Sequence, residues 1–123
     1  MGPMARDGLG ELVAGTPTVE EVSVLFVDND ADFASVSKTM LERADDSITV
    51  TVVPDGSAAI EVVEDPGRQV DCIVSDYDMP GQNGVEFLKR VRQEYSELPF
   101  ILFTGKGSEL VASDAISAGV TDY

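Results

Sequence analysis

From Val22 onward the chain repeats one unit: a short run of β-branched and aromatic residues, then a segment with helical spacing. Val22-Ser23-Val24-Leu25-Phe26-Val27 opens the series and suits a strand buried on both faces. Asp30 is placed to cap a helix in which Phe33, Val36, Met40, Leu41 and Ala44 recur at helical intervals. Ile48 to Val53 reads as a second strand, closed by Pro54-Asp55-Gly56, and Ala58, Ala59, Ile60, Val62 and Val63 as a short helix ended by Pro66-Gly67. Cys72-Ile73-Val74-Ser75 is a third buried strand, with Met79 to Gly84 as a loop. Val85, Leu88, Val91 and Tyr95 then mark a helical face, with Lys89, Arg90 and Arg92 on or near the solvated side. Phe100-Ile101-Leu102-Phe103 is a fourth strand. Ser108 caps a helix using Leu110, Val111, Ala115 and Ile116 that stops at Gly119, and Val120 to Tyr123 opens a fifth strand. Strict alternation of this kind predicts a parallel α/β sheet with helices on both faces. Right-handed crossovers leave few topologies available to it.

Composition narrows the class further. The chain has 123 residues, 43% of them hydrophobic, enough for one domain that buries roughly two-thirds of its unfolded surface. Residues 1–21 hold four Gly and two Pro without periodicity and read as a flexible leader; residues 22–123 read as the domain. Eight basic against 23 acidic side chains give a net charge of −15. Such a surface repels phosphate backbones and anionic lipid, so direct nucleic-acid binding by this domain is not expected. The acids are scattered, not blocked into a tail, and acidic shells suit proteins working in concentrated salt. No run reaches the ~18 apolar residues of a membrane span, and residues 1–13 lack a secretory pattern, so a cytoplasmic protein without membrane contact is expected. The lone Cys72 excludes an internal disulfide framework and reads as a small buried hydrophobe. The absence of His removes Ser-His-Asp and Cys-His catalysis.

In open parallel sheets the functional edge lies outside the carboxyl ends of the strands. The residues there are Asp28-Asn29-Asp30, Pro54-Asp55, Asp76-Tyr77-Asp78 and Thr104-Gly105-Lys106. In the common five-stranded arrangement the first and third strands are neighbours, which brings Asp28, Asp30, Asp76 and Asp78 together. Acidic groups so crowded cannot all ionise comfortably: a pKa rises or a cation fills the gap. Carboxylate and carbonyl oxygens without His or Cys specify a hard ion, with Mg²⁺ foremost. Mg²⁺ takes one or two carboxylates, keeps several waters and accepts phosphate oxygens, which points to phosphoryl chemistry. Asp also serves as a cap and turn residue, and for Asp30 capping is the preferred reading.

The motifs Val27-Asp28-Asn29-Asp30, Ser75-Asp76-Tyr77-Asp78-Met79-Pro80-Gly81-Gln82-Asn83-Gly84, Phe103-Thr104-Gly105 and Ala118-Gly119-Val120-Thr121-Asp122-Tyr123 resemble those of the receiver domain of two-component response regulators. The resemblance implies a flavodoxin-like doubly wound sheet of strand order 2-1-3-4-5. It implies that Asp76 is a nucleophile taking a phosphoryl group from a phosphohistidine on a histidine kinase or phosphotransfer protein. Mg²⁺ would be held by Asp28, Asn29, Asp76 and the Asp78 backbone carbonyl, with Asp30 as a substitute ligand. Thr104 would hydrogen-bond a transferring oxygen, and Tyr123 would be the rotating aromatic of a two-state switch. Met79-Pro80 and Gly84 would shape the loop, and Gly105 would leave the phosphoryl group open to water. Catalysis would be limited to the domain's own phosphorylation and dephosphorylation. Output would come from a domain beyond residue 123 or from a separate effector.

Two departures from the family pattern stand out. The second acid expected after the first strand is Asn29, a neutral ligand, and cation affinity follows ligand charge. The family's Lys, about three residues beyond the Tyr position, and a last helix would both lie after Tyr123. The resemblance therefore implies a C-terminal strand cut short and a last helix missing, leaving an apolar patch or a partner to cover it. Lys106 reads as a solvated loop residue, not a replacement. The same departures support an alternative, a phosphorylation-independent protein-interaction module with a degenerate receiver site. The Asp76-x-Asp78 pair also resembles aspartyl phosphatases of the haloacid dehalogenase type, but Met79-Pro80 follows where those carry a small hydroxyl residue.

Overall fold

Side chains alternate across a buried strand, so a sheet of such strands needs a core on each side. The computed structural model, which describes residues 21–104 and 109–122, supplies two. Strands β1 (Val22–Val27), β2 (Ile48–Val53), β3 (Cys72–Asp76) and β4 (Phe100–Phe103) alternate with helices α1 (Ala31–Ala44), α2 (Gly56–Glu64), α3 (Gly84–Arg92) and α4 (Glu109–Ala118). The strands form one parallel sheet of order β2-β1-β3-β4. The expected doubly wound order is met through β4. Next to β4, Ile101 bridges Asp122 in the parallel sense, and Thr121 N–H donates to the Phe100 carbonyl at 2.8 Å. A fifth strand thus begins where the order 2-1-3-4-5 requires it. The expected leader falls almost wholly on residues 1–20, and the Ser108 cap, Gly105, Lys106 and Tyr123 likewise lie outside the described residues.

The larger core sets Leu25, Val27, Ile73, Phe100 and Leu102 against Ala59 and Ile60 of α2, Val85, Phe87, Leu88 and Val91 of α3, and Ala115 of α4. Phe87 and Phe100 are both fully buried, their rings 5.5 Å apart. The smaller core lies under α1 and joins Phe26, Ala34 and Val50. Helix starts are set by side-chain acceptors on orphan N–H groups. The Asp30 carboxylate accepts from Phe33 N–H at 3.0 Å, and Asp55 accepts from Ala58 N–H at 2.8 Å. Asn83 and Glu86 form a reciprocal capping box, both bonds 2.9 Å, that fixes the start of α3.

Three local expectations are corrected. Of the apolar residues assigned to α1, Phe33, Val36 and Met40 are 49%, 59% and 66% exposed, and the helix buries Ala34 instead. The helix packs over β1 and β2, and its Phe33 and Met40 border the β3–β4 half of the sheet. There Phe26, Phe33, Met40, Leu41, Val74, Ile101 and Phe103 line an apolar groove of about 540 Å³. Tyr95 is not on α3, which ends at Arg92; it packs half-buried in the turn that follows. Arg92 is not a solvated basic residue either. Its guanidinium donates to the carbonyls of Tyr95, Leu98 and Gly119 at 2.9, 2.7 and 2.8 Å, tying the ends of α3 and α4 together. Gly119 has φ +91, and a Cβ there would sit 3.3 Å from Arg92 Nε, so the close approach and the left-handed turn both call for glycine. No helix among the described residues is long and apolar enough to cross a membrane.

Candidate functional site

Parallel pairing of β1 with β3 places Val27 opposite Ser75, so the next residues, Asp28 and Asp76, emerge side by side at the carboxyl ends. Neighbouring strands are ~4.8 Å apart, which forces the two carboxylates into each other's field. Asp28 is 4% exposed, an unusual position for an acid, and its Oδ1 accepts the Asp30 N–H at 2.8 Å. Asp76 Oδ1 accepts the Asp78 N–H at 3.3 Å. Burial is the main cause that pushes both carboxyls above their ordinary range. For Asp76 the charges of Asp28 and Asp78 add to it, and for Asp28 the charge of Asp30 does.

These residues open onto a cavity of about 570 Å³ lined by Asp28, Asn29, Asp30, Phe33, Asp76, Phe103 and Thr104. Asp28, Asn29, Asp30, Asp76 and Thr104 are thus gathered at one place. Asp78 has an exposed side chain outside that lining and meets the site through its backbone. Asp30 spends one carboxylate oxygen on the α1 cap. Tyr123 lies outside the described residues.

The sequence reading missed the aromatic wall. Phe33 and Phe103 flank the acids, with ring centroids 6.0 Å apart, and both also contact Phe26, at 6.3 and 5.5 Å. They separate the acidic cavity from the apolar groove, since both residues line the two. Their positions held the signal: Phe33 lies one turn after Asp30, and Phe103 directly precedes Thr104.

Among the described residues no group of three or more His, Cys, Asp or Glu side chains is arranged to hold a metal. The donor set still suits a small hard cation. Mg²⁺ commonly needs only one or two carboxylates and completes its shell with carbonyls and water. Here two crowded carboxyls of raised proton affinity supply that pair, and a divalent ion would offset the same repulsion a proton does.

The model of the response regulator receiver domain matches residues 24–123. The chain belongs to the response regulator receiver family. It is 32% identical over 100 residues to the transcriptional regulatory protein FixJ of Bradyrhizobium diazoefficiens, covering 81% of this chain and 47% of that protein. To the transcriptional regulatory protein CpxR of Escherichia coli it is 34% identical over 100 residues, covering 81% of this chain and 40% of that protein. The chain therefore spans less than half the length of these regulators. Among solved structures, the Vibrio cholerae chemotaxis protein CheY4 superposes with a TM-score of 0.75 at 27% identity, covering 83% of each chain. Receivers as a family interact with histidine kinases and output domains and generally bind Mg²⁺ at the phosphorylation site.

Proposed function

We propose that this receiver is a phosphoacceptor switch whose acceptor is Asp76. The observation that carries the reading is the pairing of Asp76 with buried Asp28 at the carboxyl edge, in one cavity with Thr104. A carboxylate oxygen of Asp76 attacks the phosphorus of a phosphohistidine on a partner kinase or phosphotransfer protein. The P–O bond forms as the P–N bond breaks, and the leaving imidazole nitrogen keeps the electron pair. The Thr104 hydroxyl donates to a phosphoryl oxygen where negative charge gathers. Asp28, Asp76 and the Asp78 carbonyl would hold Mg²⁺, with Asn29 at the position of a further ligand. The bound ion supplies positive charge to the transferring oxygens. Tyr123 and Thr104 transmit the change, and an output domain or separate effector reads it. The chain catalyses only its own phosphorylation and dephosphorylation. The test is addition of beryllofluoride with Mg²⁺ to the isotope-labelled chain. The amides of Asp28, Asp76, Asp78 and Thr104 should shift together; unmoved signals at Asp76 and its neighbours would refute the reading.

A second reading has one observation in its favour. Asn29 lines the cavity where the family has a second acid, and Asp30 is already engaged as a cap, so ligand charge is low. If the ion binds too weakly, the receiver acts as an interaction module independent of phosphorylation. Asn29→Asp discriminates between the two. It should tighten Mg²⁺ binding by about tenfold, equivalent to ~1.4 kcal/mol, while lowering the melting temperature of the ion-free protein. Calorimetric titration and thermal melts read both effects. An unchanged Mg²⁺ affinity would remove the ligand-charge argument.

A further inference from the structure

The outer rim of β2 is where this sheet should be most open to unwanted pairing. β2 is the edge strand, and its sequence Ile48-Thr49-Val50-Thr51-Val52-Val53 is β-branched throughout, without charge or proline. Such a rim is a template for a strand from another molecule. In a parallel ladder the backbone groups of alternate residues face alternate sides. The Ser47 and Val53 carbonyls accept from Val22 and Asp28 of the β1 side, which leaves Ile48, Val50 and Val52 facing outward. Ile48 N–H donates to the Asp45 carbonyl at 3.1 Å. At Val50, in the middle of the rim, the partners are side chains from α1. Glu42 Oε2 accepts the Val50 N–H at 2.8 Å, and Lys38 Nζ donates to the Val50 carbonyl at 2.5 Å. Lys38 and Glu42 are themselves paired at 3.3 Å, one helical turn apart. Donor meets acceptor and acceptor meets donor, as one residue of an adjoining strand would do.

We infer that Lys38 and Glu42 are an edge guard, a side-chain plug that closes the β2 rim against the β2 strand of a second copy. Neither residue belongs to the acidic cavity, so the inference stands apart from the phosphoacceptor reading. A β-branched, uncharged rim is self-complementary, and two copies meeting antiparallel across a two-fold axis would satisfy each other's outward groups. The acidic surface resists such an encounter only at long range in dilute salt, since screening reaches ~10 Å at 0.1 M. A contact device at the rim itself acts at hydrogen-bond distance, where screening is weakest.

The test is the paired exchange Lys38→Glu with Glu42→Lys. It keeps composition, net charge and an i,i+4 ion pair, but sets a donor against the Val50 N–H and an acceptor against its carbonyl. The readouts are amide exchange at Val50 and sedimentation over a concentration series in 1 M KCl. The exchanged protein should lose protection at Val50 by about tenfold as a monomer. It should also form a dimer in which Val50 and Val52 become protected again. Met40→Glu added to the exchanged protein separates this from association through the apolar groove, because strand pairing should survive it. Wild-type exchange at Val50, faster exchange without a dimer, or a dimer abolished by Met40→Glu would each overturn the proposal. Should the exchanged protein fail to fold, Glu42→Gln with Lys38→Met provides the second comparison. Gln keeps the acceptor for the Val50 N–H while the carbonyl is freed, so association should appear with Val50 still protected in the monomer, and a monomer throughout would overturn the guard.

Discussion

An Asp76→Asn chain incubated with a small acyl-phosphate donor and Mg²⁺ is expected to take up no phosphoryl group, while the unsubstituted chain gains one. The amide has no anionic oxygen to attack phosphorus and forms no acyl phosphate, so labelling should fall by at least ~10³-fold, to the level of the donor-free control. Intact-mass measurement with peptide mapping reads the result. Undiminished labelling, or labelling carried by another acid of the cavity, would displace Asp76 from its role. The substitution has a second consequence of opposite sign. Burial and neighbouring charge raise the Asp76 and Asp28 carboxyls in the folded state. A raised acid binds its proton more tightly when folded, so ionising it costs stability above the folded value and that cost is relieved as pH falls through it. Asp76→Asn should therefore raise the melting temperature of the ion-free protein at neutral pH. Thermal melts read the gain, each ~1 kcal/mol appearing as roughly 4–8 °C in a domain of this size. The gain should shrink in acid, and Mg²⁺ should stabilise the unsubstituted chain more than the variant.

Gly84→Ala is expected to be the most damaging single-methyl change near the site. A Cβ at Gly84 would lie 2.5 Å from Leu102 Cδ1, 2.6 Å from the Asp76 carbonyl oxygen and 2.9 Å from Tyr77 Cα. Two of the three obstacles are backbone, so a rotamer change cannot relieve them. Gly84 N–H also donates to the Tyr77 carbonyl at 2.8 Å, clamping the start of α3 against the segment that leaves β3. The substitution must push that segment away or tilt α3 out of the core that holds Phe87 and Leu88. Overpacking of this kind costs about 3 kcal/mol or somewhat more, a large share of a typical ~5–15 kcal/mol. Urea melts should show it, and the folded fraction should bind Mg²⁺ less well because the backbone at Asp76 has moved. A loss under ~0.5 kcal/mol, the range of ordinary surface changes, would show that the loop accommodates the methyl.

The two variants separate chemistry from scaffold, and the same division runs through what was legible in the chain. The strands were readable because each is a short β-branched or aromatic run between turn residues, and β1, β2 and β4 have the boundaries those runs suggest. The third strand reached one residue further, to Asp76, because its pairing with Phe103 extends the ladder. Asp30, Asp55 and the Asn83–Glu86 box carry the helix starts in local chemistry alone. The α1 face was misjudged for the converse reason. Periodicity reports which residues share a side of a helix, and not how far the sheet beneath extends, so Phe33, Val36 and Met40 were indistinguishable from the buried Ala34 side. Arg92 was misjudged in the same way, since the carbonyl of Gly119 that it binds is 27 residues distant.

Local order along the chain was thus written in residue type: where each strand and helix lies, that the strands run parallel, and that acids stand at the strand ends. Such features depend on neighbours a few positions apart, which a linear reading contains. Pairings between distant segments needed the folded chain. Register set Asp28 beside Asp76, helix placement laid Lys38 and Glu42 on the β2 rim, and tertiary packing brought Phe33 of α1 against Phe103 of β4 as the wall of the acidic cavity. The reason is physical: hydrogen-bond register and helix orientation are settled by the joint packing of all the elements, and no single segment encodes them.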